Sequence, residues 1–99
     1  MTDQNIKDTF EAFFEKYKKT EGDETSWSAH WTTRAPAGTF EINMTKCPRG
    51  TVFKVFANGK RQPDIVGWDD FLKQLDNLEQ TWPDLFDRER FFAEMQEMI

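Results

Sequence analysis

Cysteine, histidine and tyrosine each occur once in the 99 residues. A lone Cys47 makes no internal disulfide, which points to a reducing compartment and a cytoplasmic location. One His and one Cys fall short of the four N/S ligands of a structural zinc site. The acidic segment Glu21-Gly22-Asp23-Glu24 lacks the alternating spacing of a calcium loop, so neither a metal nor another cofactor is expected. The five glycines fall in turns or at helix ends, and none builds a phosphate-cradling loop or a nucleophile elbow. No apolar run approaches the ~20 residues that span a bilayer, so no membrane association is expected. The amino terminus, Met1 to Asn5, has neither the basic nor the apolar region of a signal peptide.

Aliphatic residues are also scarce. Leu, Ile and Val together number 11, against ten Phe and four Trp. A chain this poor in aliphatics must build an aromatic core, and its length suits a single domain over residues 1–99.

The apolar spacing predicts three helices around a β region. Ile6, Phe10, Phe13, Phe14 and Tyr17 recur at helical intervals over a segment from Thr2 or Asp3 to Lys19. Asp3 serves as the expected cap, and Glu15 and Lys19 as an i,i+4 ion pair. Residues 20–25 read as a loop. Alternation then predicts strands over 26–33, 39–45 and 51–57. Asn58-Gly59 marks a hairpin, and a fourth strand over 60–66 lies at an edge because Pro63 has no N–H. Placing Trp27, Ala29, Trp31, Phe40, Ile42, Met44, Phe53 and Val55 on one face suggests opposing Trp31 to Phe40 and Ile42 to Phe53. That register sets His30, Glu41 and Lys54 in one row. A second helix starts near Gly67 with the stripe Trp68, Phe71, Leu72, Leu75 and Leu78. A third runs from Pro83 to Met98 with Thr81 as its cap, or starts at Asp87. The expected class is α+β: an N-terminal helix, an antiparallel meander of three or four strands, and two C-terminal helices, packed on one sheet face.

Charge is segregated along the chain. Residues 1–30 carry four Lys against seven acids, and residues 31–62 carry six cations against Glu41 alone. Residues 63–99 carry three cations against ten acids. The β region is basic and the helices are acidic.

Catalytic candidates are weak. His30 carries an imidazole, the side chain most used as a general base, but the sequence shows no nucleophile or substrate pocket for it. Cys47 lies between Lys46 and Arg49, cationic surroundings of the kind that suit nucleophilic cysteines, yet the loop sets it apart from His30. No enzymatic activity is expected. The dense acidic series Asp69, Asp70, Asp76, Glu79, Asp84 and Asp87 points to a small acidic protein-binding module. It would act as an inhibitor or modulator that imitates nucleic-acid charge and occludes a basic groove on a partner, in the style of phage-encoded anti-defence proteins. The alternative is a single-stranded nucleic-acid module using Lys54, Phe56, Lys60 and Arg61, where cations track phosphates and a ring stacks on bases. The wide apolar surface Phe91, Phe92, Met95 and Met98 is a candidate homodimer contact.

Overall fold

The computed structural model describes residues 2–21 and 25–99. Met1 and the tripeptide 22–24 of the expected loop and acidic segment lie outside the described residues.

Helix α1 spans Asp3–Tyr17. Its cap is Thr2 rather than Asp3: the Thr2 hydroxyl accepts from the Asn5 N–H at 3.1 Å. Ile6, Phe10, Phe13 and Phe14 are buried as the spacing requires. The chain leaves the helix at Lys18, so Glu15 pairs with Lys18 at 2.9 Å rather than with Lys19. The hydrogen bond from the Lys18 ammonium holds the Glu15 carboxyl below its ordinary value.

Six strands follow: β1 Lys19–Glu21, β2 Ser26–Ala35, β3 Gly38–Cys47, β4 Gly50–Ala57, β5 Lys60–Arg61 and β6 Ile65–Val66. Strands β1 to β5 form an antiparallel meander, with β6 also on β4. Part of the expected loop is thus the edge strand β1, three residues long and polar, too short to show alternation. The expected fourth strand is present as β5 and β6. Ala57 faces Lys60 and Val52 faces Val66, so the pairing shifts by one residue across the Pro63 segment. A strand whose Pro cannot donate is confined to an edge and interrupted there.

The register differs from the expected one by two residues at both long hairpins. Trp31 faces Ile42, Thr33 faces Phe40 and Ala29 faces Met44. Ile42 faces Val55 and Met44 faces Phe53. Side-chain orientation repeats every two residues, so both registers bury the same faces. Turn length separates them. Ala35 pairs with Gly38 and Cys47 with Gly50, leaving only Pro36-Ala37 and Pro48-Arg49 as turns. The third turn is Asn58-Gly59, with φ 53° and 79° as a type I′ hairpin requires. His30 therefore lies opposite Asn43, and Glu41 lies opposite Thr32 and Phe56.

Helix α2, Trp68–Thr81, buries Phe71, Leu75 and Leu78. Helix α3 covers Arg88–Met98, and Asp87 caps it by accepting from the Glu89 and Arg90 N–H groups. The alternative start is the one adopted. Residues 82–86 turn instead, with the Trp82 carbonyl accepting from Leu85 and Phe86. Phe86 and Phe91, five residues apart, would point ~140° apart on one straight helix. The turn lets both rings face inward, with centroids 5.6 Å apart.

All three helices bury their apolar stripes against the β face that carries Ala29, Trp31, Phe40, Ile42, Met44, Phe53, Val55 and Ala57. Phe10 packs against Phe53, Phe71, Trp68 and Phe91. Phe53 and Phe71 stack at 4.0 Å. Trp31 meets Phe91 edge-on at 4.7 Å, and its Nε1–H has no hydrogen-bond partner among the described residues. Trp27 is not in the core. It lies 39% exposed at the end of the sheet, with the Lys18 ammonium 5.4 Å from its ring. Of the candidate dimer residues, Phe91 and Met95 are fully buried, Phe92 packs partly against the core, and Met98 is exposed. The wide apolar surface of α3 is largely used inside the fold.

Gly38 has φ +145° and approaches the Asn58 side chain so closely that a Cβ would overlap its carboxamide oxygen. That oxygen accepts from the Thr39 N–H at 3.0 Å. Gly38→Ala should lose about 2–3 kcal/mol in urea titration, combining backbone strain with this clash. Gly50→Ala, with φ +131° and open space around the added carbon, should lose less. Equal losses would show that the Asn58 contact adds nothing. Trp31→Ala should cost about 3–5 kcal/mol, and Trp31→Phe much less, because the indole N–H it removes has no partner to lose. A thermal midpoint for Trp31→Ala within a few degrees of the parent would contradict this.

Candidate functional site

Helices cover one face of the sheet, which sorts the charges. The acidic helices lie on one side, and the opposite sheet face carries mostly polar and basic side chains, with Val52 and Phe56 apolar and Glu41 acidic among them. Register places Arg34, Thr32 and His30 of β2, Glu41 and Asn43 of β3, Lys54 and Phe56 of β4, and Arg61 of β5 on that open face.

The six acidic candidates do not form one stripe. Asp69 and Asp76 are seven residues apart on α2, hence on the same side and ~10 Å apart along its axis. Glu79 follows Asp76 by three residues on that side, whereas Asp70 points ~100° away from Asp69. The bend after α2 brings Arg88 back against this side. Its Nη2 is ion-paired with Asp76, and its Nε donates to Glu79 Oε1 at 3.1 Å. The Arg88 side chain is 25% exposed, so water screens the pairs only partly. One guanidinium shared by two carboxylates leaves a net negative charge held in a fixed geometry. Asp87 is spent as the α3 cap. Asp69, Asp70 and Asp84 are exposed and have no ion-pair or hydrogen-bond partner among the described residues.

The basic tips are not neutralised by these carboxylates. Lys46 pairs with Glu11 of α1, at 2.8 Å, on the helix side. Arg61 is held by both oxygens of Asp64 at 3.0 Å, so its guanidinium is engaged by Asp64 and not by the Phe56 ring. Arg34, Arg49, Lys54 and Lys60 have no ion pair among the described residues. Of the alternative nucleic-acid set, Lys54, Phe56 and Arg61 share the open face. Lys60 falls opposite Ala57, on the helix side of the hairpin tip.

His30 and Cys47 are apart in register, His30 opposite Asn43 and Cys47 opposite Gly50 at the end of its strand. The His30 Nε2 lies 3.4 Å from Ser28 Oγ. The Cys47 thiol donates to the Gly50 carbonyl across its turn at 3.4 Å. No described helix is long and apolar enough to cross a membrane.

Sequence reasoning missed Arg88, Arg34 and Asn43. Arg88 gains its role only through the bend at 82–86. Arg34 lies beyond the expected strand end at residue 33, whereas β2 continues to Ala35. Asn43 carries no sequence signal beyond being a polar position within its strand. Comparison with protein-family models, curated proteins and solved structures finds no match.

Replacing Arg88 by Met should leave Asp76 and Glu79 repelling each other, at a loss of about 1 kcal/mol in urea titration that added salt partly restores. An unchanged midpoint would show that the shared guanidinium contributes nothing to joining α2 and α3.

Proposed function

We propose that this chain is a non-enzymatic binding module, an inhibitor or modulator whose acidic flank occupies a basic, nucleic-acid-binding surface of a protein partner. The observation that carries the reading is the separation of charge by layer. Among the described residues Arg34 and Lys54 have no ion pair and lie on the sheet face turned away from the helices, and no ion pair joins a cation of the strands to a carboxylate of α2 or the 82–87 bend. Asp69, Asp70 and Asp84 are available to a partner. Asp76 and Glu79 are held in place by Arg88, which lowers the entropy lost on docking. A rigid set of carboxylates is a fair stand-in for phosphates in a groove lined by Arg and Lys. Beside α2, a groove of about 300 Å3 lined by Ile65, Leu78 and Trp82 and rimmed by Asp64, Gln74 and Asn77 offers room for an apolar anchor side chain. The mechanism is occlusion: charge steers the encounter, and the body of the domain then blocks the partner's groove.

The test is charge reversal. The protein is immobilised, a partner is captured from nuclease-treated lysate, and duplex DNA is added as competitor. DNA should displace the partner. The triple variant Asp69→Lys, Asp70→Lys, Asp84→Lys should associate at least tenfold more slowly, with a flatter dependence on salt. Capture that DNA does not compete, or association unchanged in the triple variant, rejects the reading.

A further inference from the structure

The face of the sheet turned away from the helices has a composition that the acidic-flank reading does not use. We infer that this open face is a second binding surface, and that its ligand is single-stranded nucleic acid.

Three observations converge there. First, cations outnumber acids. Arg34 and Lys54 have no ion-pair partner among the described residues, and Arg61 is held only by the surface carboxylate Asp64. Glu41 is the only acid among the face residues of β2, β3 and β4, and it accepts a hydrogen bond from Thr32 at 3.0 Å. Second, a flat apolar ring lies among these cations. Phe56 is half-buried on the face, opposite Glu41 on one side and Arg61 on the other. With Thr32, Arg34 and Glu41 it lines a recess of about 190 Å3. Third, a hydrogen-bonding group is unused. Asn43 is 7% exposed, sits between His30 and Lys54 in register, and its Oδ1 is buried without a partner among the described residues.

These features fit a single strand better than other polyanions. Cations follow phosphates, while a ring and an unsatisfied carboxamide are suited to unstacked bases, which offer both a π-face and hydrogen-bonding edges. A duplex would hide those bases. An acidic protein surface would use the cations but leave the Phe56 ring and Asn43 unanswered. The inference is independent of the acidic flank, which lies on the other side of the molecule.

The experiment is fluorescence anisotropy with a labelled oligothymidylate of about 12 nucleotides, a length within the usual site size of such surfaces. Three phosphate contacts on a single strand imply a roughly 20-fold loss of affinity between 50 and 200 mM salt. Phe56→Leu should weaken binding about tenfold while preserving the fold, as checked by circular dichroism. Arg34→Gln with Lys54→Gln should weaken binding and flatten the salt dependence. The flank variant Asp69→Lys, Asp70→Lys, Asp84→Lys should bind the oligonucleotide at least as tightly as the parent, because it removes negative charge away from the face. This separates failure here from failure of the acidic-flank reading. No anisotropy change at 50 mM salt overturns the inference, as does binding unaffected by the Phe56 and Arg34/Lys54 variants. So does sedimentation showing that a second copy, rather than the oligonucleotide, occupies the face and is released by the Arg34/Lys54 variant.

Discussion

The contact between α1 and the sheet through Phe10 is the constraint on which the rest of the molecule depends. With so few aliphatic residues, the chain has no other way to fill the space between its layers. Phe10 meets β4 through Phe53, α2 through Trp68 and Phe71, and α3 through Phe91. One side chain therefore joins every helix to the sheet. Phe53 stacked on Phe71 adds the shortest ring separation in the core. Rings packed edge-to-face and offset gain a little beyond the area they bury, and their rigidity specifies one arrangement rather than several. The bend at 82–86 follows from the same requirement, since a straight helix would hold Phe86 away from Phe40 and Trp31, which it now touches.

A core on one side of the sheet has an electrical consequence. Covering a single face leaves the other to water, and that face holds much of the central basic segment. The acidic segments are helical and lie on the covered side. Segregation along the chain has become segregation across the thickness of the fold, and two surfaces of opposite sign follow without any special device. Local pairs trim this separation but do not erase it. Lys46 is drawn to Glu11, and Arg88 to Asp76 and Glu79, each on the helix side. Arg90 also stays on that side, donating to Glu94 and to the Arg34 carbonyl at the edge of β2. Among the described residues, Arg34 and Lys54, turned away from the helices, and Arg49 and Lys60, at turns, have no ion pair.

Much of the architecture is legible in the residues. Helical spacing marks Ile6 to Phe14 and Trp68 to Leu78, alternation marks the three long strands, and Pro63 marks an edge. Each is a local pattern whose cause lies within a few residues. The errors share a different cause. The two-residue slip at both long hairpins escapes any argument from alternation, because side chains two apart share a face. Trp27 carries the right parity but lies at the end of the sheet, where no helix reaches it. The cap of α1 at Thr2 rather than Asp3, and that of α3 at Asp87 rather than Thr81, turn on residues that can all accept from a free first-turn N–H, so residue type alone does not choose among them. The candidate sites were legible only as composition. That acids cluster after residue 63 is plain from the chain, but which of them share Arg88 is not.

What the sequence alone determined is the set of faces: which side chains go inward, which segments carry each sign, and that the interior is aromatic. These depend on local periodicity and composition, which survive any small change in register or bend. What the tertiary structure decided is adjacency. It set His30 against Asn43 instead of Glu41, separated Lys60 from Phe56, and brought Arg88 to Asp76 and Glu79. Adjacency depends on turn lengths and on distances between remote segments. A shift of two residues or a single bend rearranges those partners while leaving every local pattern intact.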